Sequence, residues 1–258
     1  MKELTLFCQL QSLLNDSSLY LKKIAFAGVL FYFSLLNAFD DCHLGQMIQT
    51  ETNQEPLFVS LGSYCTTAHW HRHLGLRKAA FPFDWIISFD GDRLIEIIES
   101  DFLHFLNPDF LVLAQSGDLL NTYYHLEFLN EGDWSHVDHS PELMEKFLLK
   151  SQRRIDRFRL LEHYQGKVVF VRTSIPPSFS TEGRVWKFNE AVNNSSQFAK
   201  RLYAALKRRF PVLNFELVIV SEQEHVNCEI DRNFSEPIWI VRTTNSEESY
   251  KEFYSKFR

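Results

Sequence analysis

Residues 167–172 read Lys-Val-Val-Phe-Val-Arg, and two later stretches share this short, largely apolar character. Residues 215–220 read Phe-Glu-Leu-Val-Ile-Val, and residues 237–242 read Pro-Ile-Trp-Ile-Val-Arg. Near-continuous apolar runs of this length are typical of strands buried on both faces. Helical patterns lie between and after them, over 195–210 and 247–257. Strands that alternate with amphipathic helices predict a parallel sheet covered on both sides.

The same rhythm extends toward the N-terminal half. The apolar run 57–61 ends at Gly62 and Ser63, which predicts a buried strand entering a tight turn, with a helix following from about Thr66. Residues 141–163 carry apolar side chains at helical spacing after a proline start, which predicts an amphipathic helix. The expected fold class is therefore α/β, a three-layer sandwich with a mainly parallel sheet.

Weaker signals lie between these elements. Residues 81–88 are apolar and aromatic around Pro82, so we expect a constrained loop or an edge segment there. A helical pattern follows over 92–105, with its turn and cap supplied by Asp90 and Gly91. The chain of 258 residues shows no internal repeat of supersecondary length. Its size suits one large domain.

The first 38 residues have the character of an export or anchor segment. Within 22–38, two lysines precede an apolar run of signal-peptide length, which is short for a transmembrane helix. Residues 39–55 are polar without periodicity and suit a linker, so a single α/β domain is expected over 56–258. We expect an exported or membrane-anchored protein, with membrane association through 22–38. The alternative is a cytoplasmic protein whose first helix packs on the core.

Charge and cysteine spacing exclude several classes of function. A formal net charge of -6 gives no general attraction to nucleic acid, so the expected partner is a peptide or a small-molecule substrate. His69 and His73 would share a helix face, but no Glu or Cys follows at a ligand spacing, so neither a metal site nor a cofactor is expected. No Cys-x-x-Cys pair occurs among the four cysteines, Cys8, Cys42, Cys65 and Cys228. The pattern predicts no particular oligomeric state.

Cys65 is the candidate nucleophile. It lies three residues past Gly62, where the strand gives way to a helix. The partial positive charge at a helix N-terminus lowers the pKa of a thiol, and the unpaired amides there can bind an oxyanion. In an open parallel sheet, ligands bind at this carboxyl end of the strands. The alternative is that Cys65 is a small buried side chain.

A histidine and an acid are needed to complete such a site. His136 and His139 lie in a loop before a strong helix, and one of them is the candidate general base; the alternative is an ordinary surface loop. Asp84 is enclosed by aromatic residues and a proline, where a carboxylate needs a partner. It either orients the catalytic imidazole or ties down its own loop through a structural hydrogen bond.

Arginines near the predicted strand ends favour a second class of function. The planar guanidinium suits carboxylate or phosphate, although lone arginines at strand ends are more often salt-bridged. On this pattern the alternative is a group transferase that binds a phosphorylated or nucleotide-sugar donor at the carboxyl edge of the sheet. The predicted substrate-binding residues are Gly62, Ser63, Arg77, Trp85, Arg172 and Arg242.

Residues 57–85 resemble the N-terminal signature of a family of largely uncharacterised bacterial and viral proteins described as "putative papain-like cysteine peptidases". The shared features are Phe-Val-Ser-Leu-Gly-Ser-Tyr-Cys, a helix closing on His-Leu-Gly-Leu-Arg, and Phe-Pro-Phe-Asp-Trp. A second block, 152–158, followed by the strand at 168–172, matches the order of that family. The resemblance covers about 57–245.

This resemblance implies a cysteine-dependent hydrolase, either a peptidase or an acyl transferase, with Cys65 as nucleophile. It places the base among the histidines of 134–139. Papain-like folds pair a cysteine-bearing helix with an antiparallel barrel, whereas the periodicity of the last third predicts a parallel sheet, and we favour the periodicity. A third interpretation is a catalytically inactive binding module.

Overall fold

The computed structural model describes residues 55–114, 117–129, 141–174, 186, 195–222, 229–232, 234–244 and 246–257. All of them fall within one compact unit, Thr52–Arg258. The predicted export segment and the predicted loop with His136 and His139 lie outside the described residues. In the part of the chain that is described, no helix is both long enough and apolar enough to cross a membrane.

The strands of this part are β1 (Leu57–Ser60), β2 (Ile86–Ser88), β3 (Leu111–Leu113), β4 (Leu119–Asn121), β5 (Leu126–Phe128), β6 (Val168–Thr173), β7 (Phe215–Glu222), β8 (Glu229–Asp231) and β9 (Ile238–Thr243). The helices are α1 (Thr66–His73), α2 (Gly91–Glu99), α3 (Pro141–Leu160), α4 (Ser196–Arg209) and α5 (Glu247–Ser255). Two short 3-10 helices, Pro108–Phe110 and Leu161–His163, precede β3 and follow α3.

A five-stranded sheet forms the centre of the fold, in the order β1-β6-β7-β9-β8. Its first four strands are parallel, and β8 pairs antiparallel with β9 at one edge. In register, Val59 lies beside Phe170, and Phe170 lies beside Leu217. The predicted α/β class with a mainly parallel sheet is confirmed. The antiparallel barrel implied by the resemblance is not the arrangement of these strands.

Side-chain alternation along the strands divides the core between the two faces of this sheet. One face carries Phe58, Val169 and Val218, which pack with α5 and with Trp70 of α1. The other face carries Val59 and Phe170 with their neighbours, which pack against α2, α3 and α4. Burial on both faces explains why each long strand is apolar almost throughout.

A second sheet, which the sequence did not predict, is antiparallel in the order β2-β5-β4-β3. Its strands are three residues long, too short for a period of two to be recognised. Ile86 of β2 pairs with Phe128 of β5, and both side chains belong to the same core cluster as the α2 face of the central sheet. Of the segment 81–88, predicted as a constrained loop or an edge segment, Ile86–Ser88 forms β2 at the edge of this sheet.

The helix predicted over 92–105 is shorter than expected, and that prediction is wrong in its second half. Asp90 accepts a hydrogen bond from the amide of Asp92 as the cap, but α2 ends at Glu99. Asp101 and Phe102 adopt φ angles of 52° and 65°, which stop the helix. Phe102 lies in the turn after the helix but is still buried in the core. The helical spacing of apolar residues therefore continues past the end of the helix.

Candidate functional site

The turn between β1 and α1 places Cys65 at the carboxyl edge of the parallel sheet. Gly62 has a φ angle of 71°, a left-handed conformation that residues with a Cβ rarely adopt. The amide of Thr173, at the end of β6, donates to the carbonyl of Gly62 at 3.3 Å. The hydroxyl of Ser63 donates to the carbonyl of Thr173 at 2.5 Å. These contacts fix the turn, and α1 begins one residue after the partly exposed Cys65.

The pKa of the Cys65 thiol is raised, whereas the sequence predicted that it would be lowered. Burial raises the pKa of Cys65 above its ordinary value, and the negative charge of Glu222 adds to this rise. Hydrogen bonds from the Tyr64 side chain and from the backbone of Cys65 oppose burial but are smaller. A thiol with a raised pKa is mostly neutral near pH 7. Attack on a carbonyl therefore requires a base that removes the proton.

A buried polar network, which no local sequence pattern predicts, lies at the same edge of the sheet. Glu222, at the end of β7, accepts a hydrogen bond from the Tyr250 hydroxyl at 2.8 Å, and its amide donates to the Ser174 hydroxyl at 2.9 Å. Thr173 shares a hydroxyl hydrogen bond with Thr67 of α1. Burial, with the charge of Glu222, raises the pKa of Tyr250 well above its ordinary value, so this phenol remains a neutral donor.

Asp84 is bound to Arg77. Its Oδ2 accepts from Arg77 Nε at 3.0 Å and Nη2 at 2.7 Å, and from the Phe81 amide at 3.1 Å. Burial raises the pKa of Asp84, while the charge of Arg77 opposes this rise. The Arg77 guanidinium also lies over the Trp85 ring, 5.7 Å from its centroid. The loop-anchoring interpretation accounts for these hydrogen bonds, whereas orientation of an imidazole by Asp84 stays a prediction.

Arg172 lies in the interior, 1% exposed, rather than at a binding surface. Its Nη1 donates to the Leu61 carbonyl at 3.1 Å and to the Ser88 hydroxyl at 2.9 Å. Burial lowers the pKa of Arg172 to about 9. Arg242 is partly exposed on β9, in register with Ser221 of β7. A phosphorylated donor was predicted from three arginines, Arg77, Arg172 and Arg242. Two of them already have partners within the protein, because Arg77 binds Asp84 and Arg172 binds Leu61 and Ser88.

An apolar cluster, called the aromatic wall below, lies beside the thiol. Its members are Tyr64, Ile87, Phe89, Leu129 and Trp186. The ring centroids of Phe89 and Trp186 are 5.9 Å apart. The ring of His125 also stacks on the Trp186 ring, with the two centroids 5.1 Å apart and an angle of 24° between the ring planes. These residues were not predicted as part of a site, because they come from four separate segments of the chain.

The histidines of α1 have different surroundings. His71 is buried, and burial lowers the pKa of its imidazole to about 3. The rings of His69 and His73 stack with centroids 6.0 Å apart, and His73 Nε2 lies 3.2 Å from a carboxylate oxygen of Glu247. Among the described residues, no three His, Cys, Asp or Glu side chains are grouped so that they could hold a metal ion.

The fold and the site together define an α/β protein with a cysteine at a helix start on the carboxyl edge of a parallel sheet. The family described as "Putative papain-like cysteine peptidase (DUF1796)" matches residues 56–225. The chain belongs to this family, and the resemblance found from the motifs is confirmed.

One similar protein is "Uncharacterized protein R408" of Acanthamoeba polyphaga mimivirus, which is 28% identical over 145 residues. The match covers 49% of this chain and 65% of the viral protein. No solved structure was found to match the chain.

Proposed function

We propose that the protein is a cysteine-dependent hydrolase or acyl transferase that uses Cys65 as its nucleophile. The observation that carries the proposal is the position of this thiol, partly exposed at the start of α1 and at the carboxyl edge of the parallel sheet. Ligands of open parallel sheets bind at that edge, and helix N-termini supply unpaired amides. Membership of a family described as cysteine peptidases supports the same chemistry.

In the proposed reaction, the sulfur of Cys65 attacks a substrate carbonyl carbon and its proton passes to a base. The tetrahedral oxyanion is stabilised by backbone amides at the start of α1. The leaving group departs with a proton from the same base, and a thioester remains on Cys65. Attack by water then releases an acid, whereas attack by another nucleophile completes an acyl transfer. In either case the free thiol is regenerated.

The proposed base is His136 or His139. A base is needed because burial raises the pKa of the Cys65 thiol, which leaves little thiolate for direct attack. Separate His136→Ala and His139→Ala variants distinguish the two. Loss of the catalytic base is expected to slow hydrolysis about 100-fold or more, whereas loss of the other histidine leaves the rate nearly unchanged.

The test of the nucleophile is hydrolysis of an activated ester or thioester by the wild type and by Cys65→Ala. The variant is expected to lose this activity while its circular dichroism spectrum and melting temperature stay close to those of the wild type. Activity that survives in the folded Cys65→Ala protein would overturn the proposal. An inactive wild type that labels with no cysteine-directed electrophile would instead favour a binding module.

We also propose that residues 1–38 direct the protein out of the cytoplasm or hold it at a membrane. Two lysines followed by an apolar run within 22–38 support this proposal. Fractionation of cells that express the full chain, with mass spectrometry of its N-terminus, provides the test. A start near Phe39, or the intact chain in the membrane fraction, supports the proposal, and an intact Met1 in the soluble cytosolic fraction contradicts it.

A further inference from the structure

The aromatic wall is continuous with the thiol through Tyr64. Tyr64 directly precedes Cys65 in the chain, and the amide of Ser88, between Ile87 and Phe89, donates to the carbonyl of Ser63 at 3.0 Å. The apolar part of Tyr64 packs against the buried pair Ile87 and Phe89. A substrate carbonyl in reach of Cys65 is therefore also next to the wall.

The three outer side chains of the wall are only partly buried. Tyr64, Leu129 and Trp186 each retain solvent exposure, whereas Ile87 and Phe89 beneath them are buried. Exposed aromatic surface that is held on a rigid core is favoured at binding sites, because an apolar ligand group gains burial there without much loss of side-chain entropy. The wall has the composition and support of such a surface.

The loop that carries His125 is held in an uncommon conformation against this wall. His125 has a φ angle of 54°, a left-handed conformation that costs free energy in a residue other than glycine. Its ring stacks on Trp186 at a centroid separation of 5.1 Å. The stacking fixes one side of the tryptophan ring. It also brings an imidazole to the rim of the wall.

We propose that the aromatic wall is a substrate subsite that takes an aromatic or large aliphatic side chain next to the carbonyl attacked by Cys65. An anionic substrate group finds less support here, since Arg77 is bound to Asp84 and Arg172 lies in the interior. The proposal rests on the proposed role of Cys65 as a nucleophile. It adds the chemical class of the group that accompanies the reacting carbonyl.

The test compares the rates at which three chloromethyl ketones alkylate Cys65 in the full chain, those of N-acetyl-phenylalanine, N-acetyl-lysine and N-acetyl-glutamate. Each rate is divided by the rate with iodoacetamide, which has no side chain to place against the wall. Burial of one aromatic side chain corresponds to a preference of about tenfold or more for the phenylalanine reagent. This preference is expected to disappear in Trp186→Ala, with the iodoacetamide rate nearly unchanged.

The matched control is Leu103→Ala, which removes an apolar side chain that is 68% exposed and outside the wall. It should leave the preference intact. A preference that survives in Trp186→Ala, equal rates with all three reagents, or a faster lysine or glutamate reagent would overturn the subsite. If Trp186→Ala does not fold, Leu129→Ala provides the same comparison.

A binding measurement that does not need the thiol separates failure of the subsite from failure of Cys65 as a nucleophile. N-acetyl-phenylalanine amide is titrated into folded Cys65→Ala while the heat of binding is recorded by calorimetry. A saturable change that is absent from Cys65→Ala/Trp186→Ala supports the subsite, even where no reagent labels Cys65. No change, or the same change in both proteins, contradicts the subsite even where Cys65 is reactive.

Discussion

The surroundings of the Cys65 sulfur shift the pKa of the thiol in opposite directions. Burial raises the pKa of the thiol, the Tyr64 hydrogen bond lowers it, and the charge of Glu222 raises it again. Burial is the largest of these effects, so the resting site holds a neutral thiol. Cys65 is therefore expected to react as a thiol with base assistance, in contrast to a cysteine that is already a thiolate.

Tyr64→Phe should raise the pKa of the Cys65 thiol further. The variant keeps the ring in the aromatic wall but removes the hydroxyl whose hydrogen bond lowers the pKa of the thiol. The pH dependence of alkylation by iodoacetamide, followed at Cys65 by mass spectrometry, measures this pKa. Tyr203→Phe, which changes a tyrosine packed on Phe215, is the control and should not move the midpoint. A lower or unchanged midpoint in Tyr64→Phe contradicts the assignment.

Asp84→Asn should destabilise the fold. The substitution breaks a buried ion pair with Arg77, and loss of one partner of such a pair costs about 3 kcal/mol. Glu99→Gln, which breaks the exposed pair with Arg208, is the control and should cost less than about 1 kcal/mol. Chemical denaturation measures both. Unchanged stability in Asp84→Asn together with lost hydrolysis would instead show that Asp84 orients the catalytic imidazole.

Among the elements, α1 depends on a buried histidine for its docking. The ring of His71 lies 5.7 Å from that of Phe58 on β1 and 5.3 Å from that of Tyr254 on α5, measured between centroids. Burial lowers the pKa of His71 to about 3. The helix therefore packs on the sheet with this imidazole neutral.

Acid should weaken the fold through His71. Between pH 6.5 and about 3 the unfolded chain binds a proton that the folded chain excludes, so stability is retained above pH 6.5 and falls as the pH drops through this window. The fall contributed by this residue is about 1.4 kcal/mol per pH unit. Denaturant unfolding from pH 7 to 4 should therefore show a shallower loss in His71→Phe than in the wild type. His69→Gln, on the exposed side of α1, is the control, and equal slopes in wild type and His71→Phe contradict the account.

The length of each element decided whether the sequence predicted it. Strands such as β6 and β7, with six and eight residues, carry long enough apolar runs to be recognised. The strands of the second sheet have three residues each, too few for a period of two to be recognised, and β2 pairs with the distant β5. The end of α2 was missed for a different reason, because Phe102 keeps a helical spacing although its backbone has left the helix.

Across the whole molecule, Arg172 joins the two sheets. It belongs to β6 of the central sheet and donates to Ser88 of β2 in the antiparallel sheet, as well as to the carbonyl of Leu61. The Arg172 guanidinium also lies over the Phe198 ring, 5.5 Å from its centroid. The buried Arg172 cation therefore helps to set the relative position of the two sheets near Cys65.

Arg172→Met should lower the free energy of unfolding by about 3 kcal/mol, because buried acceptors at Leu61 and Ser88 lose their donor. Arg201→Met, which removes an exposed partner of Asp92, is the control and should change stability by less than about 1 kcal/mol. Urea unfolding provides the measurement. A folded Arg172→Met protein with wild-type stability would contradict the proposed link between the sheets.

The candidate site was predictable only where its residues are close in sequence. Gly62 and Cys65 follow one strand within six residues, so a local pattern identified them. Thr67 and Thr173 are 106 positions apart and meet because β1 pairs with β6. Glu222 meets Tyr250 only after β9 and α5 fold back. Contacts of this kind require the strand order, which periodicity alone does not supply.

The most direct test of the central claim is to trap the acyl group on Cys65. The full chain is mixed with p-nitrophenyl acetate, quenched in acid within the first turnover, digested and examined by mass spectrometry. The account predicts a single acetyl group on the peptide that carries Cys65, formed at the rate of the p-nitrophenol burst and absent from Cys65→Ala. A Cys65→Ala protein that releases p-nitrophenol at the wild-type rate, or an acetyl group found only on another residue, would contradict it.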